Sequence, residues 1–128
     1  MGCLLLIDDD KTDRFLIKKA LLKQRQSLDL IELDQGHEAV TIIKAKQPTA
    51  TLLDVRMPGL DGFDVLKMIR KEPDLADHPV YMVSGSEMPS DKALAEAAGA
   101  NGFLTKPGSF NGYSDLAKTI DERVFGAA

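Results

Sequence analysis

The chain has 128 residues, 44% of them hydrophobic, enough for one ordinary domain spanning 1–128 with a sizeable core. A net charge of −4 argues against direct nucleic-acid binding, and no apolar run approaches the ~20 residues of a membrane span. The one cysteine, Cys3, excludes an internal disulfide and fits a reducing, cytoplasmic setting.

Taken in order, strand and helix patterns alternate five times. Cys3 to Ile7 is an apolar strand that runs straight into Asp8-Asp9-Asp10. It lacks the basic start and small-residue cleavage site of a signal peptide, and Leu6 stands where a myristoylation signal needs Ser or Thr. Asp10 or Thr12 can cap a first helix whose inner face carries Leu16, Ile17, Ala20, Leu21 and Gln24. Leu28 to Leu33 reads as a second strand, Gly36 as a turn, and Ala39, Val40 and Ile43 as the inner face of a helix ending before Pro48. Ala50 to Leu53 is a short apolar run of the kind buried on both faces of a parallel sheet, and it stops at Asp54. Pro58, Gly59 and Gly62 mark a loop, after which Phe63, Leu66, Ile69 and Arg70 recur at helical spacing. Glu72-Pro73-Asp74 ends that helix, and Val80 to Val83 is a fourth strand. Pro89-Ser90 opens a fourth helix with Leu94, Ala97 and Ala98 inward and Gly99 just past its end. Gly102 to Thr105 is a fifth strand, and Tyr113, Leu116, Ala117, Ile120 and Val124 stripe the last helix. All six prolines fall in connections. Such alternation predicts an α/β fold, a parallel sheet covered by helices on both faces.

The chemistry follows the strands. The first ends in Asp8-Asp9-Asp10, the third in Asp54, the fourth in Ser84-Gly85-Ser86 and the fifth in Lys106-Pro107. A parallel sheet gathers these groups on one rim, the edge where open α/β sheets bind ligands. Singly they are helix caps, a turn serine and a surface lysine. Together they form a phosphoryl site. Three carboxylates near one point repel by ~3 kcal/mol per pair at ~5 Å and an effective dielectric near 20. A hard divalent cation, Mg²⁺, supplies the missing charge, and a hydroxyl and an ammonium suit phosphoryl oxygens.

These residues give the chain a resemblance to the receiver domain of two-component response regulators, over essentially its whole length. Asp8-Asp9 matches the family's metal-site acids. Asp54, with Met57-Pro58 and Asp61-Gly62, matches the phosphoacceptor and its surroundings; Ser84, Gly85 and Lys106-Pro107 match the hydroxyl, small and Lys-Pro positions. The resemblance implies a doubly wound (βα)5 fold, flavodoxin-like, with five parallel strands ordered 2-1-3-4-5. It implies that Asp9 ligates Mg²⁺ directly and Asp8 mainly through water, with Asp54 and the backbone carbonyl of Arg56 as further ligands. It also implies a regulatory domain, not an enzyme in its own right, that assists its own phosphorylation and dephosphorylation. A sensor histidine kinase or histidine phosphotransfer protein donates to Asp54. Ser84 then moves towards the phosphoryl group and Phe103 turns inward, which changes the face formed by the fourth helix, fifth strand and last helix, around Lys92, Phe103 and Tyr113. That face would engage a downstream protein or a second copy of the chain. With no output domain after Phe125-Gly126-Ala127-Ala128, the chain is expected to be a stand-alone receiver or a piece of a larger regulator.

Several positions depart from the family's commonest pattern. Gly108 stands where many receivers carry Phe, Phe103 has no hydroxyl, and Arg56 and Ser86 occupy variable positions beside the phosphoryl group. Arg56 can pair with phosphate or point to water. Cys3 reads as a small buried hydrophobe, and His37 and His78 as surface residues. A rival reading takes Asp8, Asp10 and Thr12 as the D-x-D-x-T motif of haloacid-dehalogenase-type phosphatases, with Asp8 as nucleophile. It leaves Asp54 unexplained, lacks a cap region, and finds its later acids, Asp115 and Asp121, inside the last helical pattern. A receiver-like interaction module that is never phosphorylated has no use for the full acid, hydroxyl and lysine set.

Overall fold

A computed structural model describes residues 2–85 and 88–126, so Ser86 lies outside the described residues. The strands are β1 (Gly2–Ile7), β2 (Leu28–Leu33), β3 (Ala50–Asp54), β4 (Val80–Ser84) and β5 (Gly102–Thr105). The helices are α1 (Lys11–Gln24), α2 (Ala39–Lys46), α3 (Gly62–Lys71), α4 (Pro89–Ala97) and α5 (Phe110–Phe125), with a 3-10 turn at Pro73–Leu75. All strand pairs are parallel and the order is 2-1-3-4-5, as expected. Strands β3 and β4 each extend one residue beyond the apolar run, so that Asp54 and Ser84 are their last residues.

Alternation along the strands builds two cores. On one face Leu4, Leu6, Leu52 and Val83 pack with Ile17 and Leu21 of α1 and Tyr113, Leu116 and Ile120 of α5. On the other, Leu5, Ile7, Leu53 and Met82 pack with Ala39 and Ile43 of α2, Val65, Leu66 and Ile69 of α3 and Ala95 of α4. Every residue of β3 is buried, which explains why its pattern is continuous and not alternating. Removing one such leucine side chain costs roughly 2–5 kcal/mol, so the strand that carries Asp54 has little freedom to shift.

Four expectations need correction. Leu94 is 55% exposed and Ala97 is also exposed, whereas α4 buries Asp91 and Ala95. An alanine-rich helix offers no bulky periodic stripe, and the spacing Asp91, Ala95, Ala98 is hidden because its first member is charged. Gln24 ends α1 in solvent. His78 is not a free surface residue: it is half-buried, and its Nε2 lies 2.9 Å from Oγ1 of the buried Thr51. Burial, with Arg70 nearby, holds the His78 imidazolium below its usual range. Cys3 is half-buried, and burial followed by the charge of Asp29 pushes its thiol up. Asp10 is the α1 cap, accepting from the Asp13 amide at 2.9 Å, and Gly99 sits past α4 with φ +94°, a left-handed position that suits glycine.

The loop after Asp54 is returned to the sheet by a capping box. Asp61 accepts from the Asp64 amide at 2.9 Å, and Asp64 accepts from the Asp61 amide at 3.2 Å. Next to it, the Gly62 amide donates to the Val55 carbonyl at 2.9 Å, bringing two backbones together. A Cβ on Gly62 would lie 2.2 Å from the Asp54 carbonyl oxygen and 2.9 Å from Val55 Cα. Helix propensity alone would favour alanine at this first helical position by up to ~1 kcal/mol. The backbone clash outweighs it. Gly62→Ala is therefore expected to lose about 1–3 kcal/mol in a urea unfolding series; a variant as stable as the parent would show that the two backbones separate freely.

Candidate functional site

The carboxyl edge of the sheet brings the expected groups together. Asp8 follows β1 and is 1% exposed; its amide donates to the Leu33 carbonyl, and its Oδ1 accepts from the Asp10 amide at 2.9 Å. Asp54 ends β3 at 6% exposure, and Asp9 beside it faces solvent. One carboxylate oxygen from each of Asp8, Asp9 and Asp54 lies within 4.8 Å of the other two. Ser84 is fully buried at the end of β4, and its carbonyl accepts from the Lys106 amide at 2.7 Å. That bond fixes the start of the β5–α5 loop and turns Lys106 over the acids.

The Lys106 ammonium stands among three carboxylates. Its Nζ is 2.8 Å from Asp8 Oδ2, 3.4 Å from Asp54 Oδ1 and 2.8 Å from Asp13 Oδ2. Only the Asp13 contact among these is aligned as a hydrogen bond, so Asp8 Oδ2 stays buried in a close ionic contact without a directed donor. Burial disfavours the Lys106 charge, but Asp13, Asp8 and Asp54 outweigh it and push the ammonium above its usual range. Asp54 moves the other way from a normal carboxylate. Burial first, then the charge of Asp8, raises its pKa to about 7, with Lys106 offsetting part of the shift.

One ammonium against three clustered carboxylates leaves a negative pocket, and Asp8 Oδ2 is a buried acceptor with no aligned donor. Oxygen donors of this kind, two buried and one, Asp9, open to water, fit a hard divalent cation. The donor set suits Mg²⁺ or Mn²⁺ and has no nitrogen or sulfur to favour a softer metal.

Two residues at this edge were not singled out in the sequence. Asp13 sits in the first turn of α1, where an acid is ordinarily read as a favourable partner of the helix dipole, yet it reaches Lys106. Asp91, 4% exposed in the first turn of α4, accepts from Arg56 Nη2 at 3.0 Å and 2.9 Å through its two oxygens. The Arg56 side chain, 65% exposed, thus pairs with a buried carboxylate in addition to facing water. Phe103 is half-buried on β5, paired in register with Met82, and with Lys92 it lines a surface cavity of about 320 Å³. Gly108 is exposed, with nothing within 4 Å of where a Cβ would sit, so its loop forgoes any side-chain packing there.

Residues 4–118 match the response regulator receiver domain. The chain belongs to this family. It is 27% identical to PilH of Pseudomonas aeruginosa over 107 residues, 84% of this chain and 87% of PilH. It is 33% identical over 104 residues to the response regulator MprA of Mycolicibacterium vanbaalenii, 81% of this chain but only 43% of MprA, so it spans less than half of that regulator. The phosphorylated cyanobacterial phytochrome response regulator RcpA superposes with a TM-score of 0.89 at 27% identity, covering 99% of this chain and 96% of RcpA. The Mn²⁺-bound form of response regulator Rcp1 gives 0.86 at 25% identity, covering 100% and 98%. The receiver is thus a phosphorylatable switch domain of two-component signalling, regulatory in kind. The phosphatase alternative gains no support. Asp10 is an exposed helix cap, Thr12 is exposed, Asp115 is exposed, and Asp121 pairs at 2.8 Å with Arg25, the C-terminal cap of α1. Among the described residues no helix is long and apolar enough to cross a membrane.

The raised Asp54 pKa fixes the sign of a pH effect. Folded Asp54 holds its proton up to about 7, whereas in the unfolded chain it ionises near ~4. Between these values the folded state binds more protons, so metal-free stability falls as pH rises and the full penalty is present above 7. With a chelator present, Asp54→Asn should be more stable than wild type by about 1 kcal/mol or more at pH 8, and the gap should narrow towards pH 5. A gap that is constant with pH, or that favours wild type at pH 8, would show that Asp54 is not crowded by Asp8.

Proposed function

We propose that this receiver accepts a phosphoryl group on Asp54 in a Mg²⁺-dependent reaction. The observation that carries the reading is the contact of Lys106 with both Asp8 and Asp54 at the end of buried strands. Asp54 is the acceptor: its carboxylate sits at the strand end facing the ammonium, and both are held by the scaffold. Asp8, Asp9, Asp54 and the Arg56 backbone carbonyl would hold the cation. The cation supplies charge neutralisation between the carboxylates and an incoming phosphate. Lys106 places positive charge where the phosphoryl oxygens arrive, and Ser84 offers them a hydroxyl donor. Phosphoryl transfer depends on such positioning and charge compensation, so these side chains suffice for a domain that assists its own modification without being an independent enzyme.

The donor class is a phosphohistidine on a sensor kinase or phosphotransfer protein in the cytoplasm. The output is a change at the α4–β5–α5 face, driven by Ser84 and Phe103 on neighbouring strands. A new charge-assisted hydrogen bond at Ser84 is worth about 1.5–3 kcal/mol, enough to shift a two-state equilibrium roughly tenfold to a hundredfold. That face is also where a downstream protein or a second copy would dock. Neither needs nucleic acid or membrane contact by this domain.

Incubation with acetyl phosphate and Mg²⁺ should add one phosphoryl group in intact-mass measurement. The addition should be lost in Asp54→Asn and in Asp9→Ala. Modification that survives Asp54→Asn but vanishes in Asp8→Asn would instead make Asp8 the nucleophile.

A further inference from the structure

Lys106 reaches two carboxylates of the proposed phosphoryl site and one outside it. That outside partner is Asp13, and it holds the aligned hydrogen bond at 2.8 Å, while the Asp54 contact is longer at 3.4 Å. Asp13 is itself held in place. Its amide donates to Asp10 Oδ1 at 2.9 Å, and its other oxygen lies 3.5 Å from the hydroxyl of the buried Tyr113 on α5. The carboxylate is only partly exposed, at 28%, so water screens it incompletely. A charge-assisted bond of this kind is among the stronger polar contacts, and with Asp8 also at 2.8 Å it holds the ammonium closer to Asp13 and Asp8 than to Asp54.

We infer that Asp13 is a positioning residue that draws Lys106 off Asp54 and so restrains phosphoryl uptake. The inference rests on Asp54 being the acceptor. In that reaction an Asp54 oxygen attacks phosphorus, and the new P–O bond forms as the bond from phosphorus to the donor's leaving atom breaks, an imidazole nitrogen of phosphohistidine or the acyl oxygen of acetyl phosphate, which departs with the electron pair. Asp54 reacts as its ionised carboxylate, and the leaving group takes any proton it needs from solvent. Lys106 assists by turning its N–H groups to the phosphoryl oxygens, and in this chain it must loosen its bond to Asp13 to do so.

The test is the rate of phosphoryl uptake from acetyl phosphate at saturating Mg²⁺, followed by intact mass. Asp13→Asn and Asp13→Ser are expected to accelerate uptake about threefold to tenfold, less than the roughly tenfold to hundredfold of one full charge-assisted hydrogen bond because Lys106 keeps its contact with Asp8. Asp13→Glu, which keeps the charge, should remain within about twofold of wild type. In a Lys106→Met background Asp13→Asn should bring no acceleration, because its effect runs through the ammonium; a merely structural role would not vanish there. Uptake that is unchanged or slower in both Asp13 variants, or acceleration that persists without Lys106, overturns the inference. Failure of wild type to take up phosphate at all overturns the acceptor assignment on which it stands, so the two failures are distinguishable.

Discussion

The contact on which the rest depends is the Lys106 ammonium set against Asp8, Asp54 and Asp13. Like charges at this spacing repel by ~3 kcal/mol per pair at an effective dielectric near 20, a large share of the ~5–15 kcal/mol that holds an ordinary domain folded. One ammonium compensates part of this. Burial first, and then the remaining charge of Asp8, appear as the raised pKa of Asp54. A pocket in that condition gains from a cation and from a group that brings its own counter-charge. The strain that makes the site costly without ligand is also what makes it responsive.

The scaffold supplies the rigidity this arrangement needs. The wholly buried β3 carries Asp54, the Ser84 carbonyl anchors the Lys106 backbone, and the Asp61–Asp64 capping box with Gly62 closes the intervening loop. The Arg56–Asp91 pair then ties that loop to the first turn of α4. Breaking it from the Arg56 side would leave Asp91 as a buried charge without this partner, which is the more damaging direction. The loop beside Asp54 and the helix expected to carry the output are therefore mechanically joined, a link that does not pass through Ser84 or Phe103.

Much of this was legible in the residues. The strand–helix alternation, the rim carrying Asp8, Asp9, Asp54, Ser84 and Lys106, the Asp10 cap and the Gly99 terminus all follow from groups placed at the ends of apolar runs, whereas the strand order came from the family resemblance. Asp13 and Asp91 were hidden for a shared reason. Both are acids in the first turn of a helix, where a solvent-facing role explains them fully, and only tertiary contacts reveal Lys106 and Arg56 as their partners. Leu94 and Ala97 of α4 were misjudged because Leu94 is its bulkiest apolar residue, yet the helix buries Asp91 and Ala95, with Ala98 packed against the same core as expected. His78 was misjudged because a polar connection gave no sign of the buried Thr51 hydroxyl beneath it.

The most direct measurement of the central claim is a thermodynamic cycle in metal-free buffer at pH 8. Unfolding free energies would be compared for wild type, Asp54→Asn, Lys106→Met and the double variant. If Lys106 offsets the crowding of Asp54 by Asp8, the gain from Asp54→Asn should be larger by about 1 kcal/mol or more when Lys106 is absent. Equal gains in the two backgrounds would mean that the ammonium does not compensate the cluster, and the account of the site would fail with it.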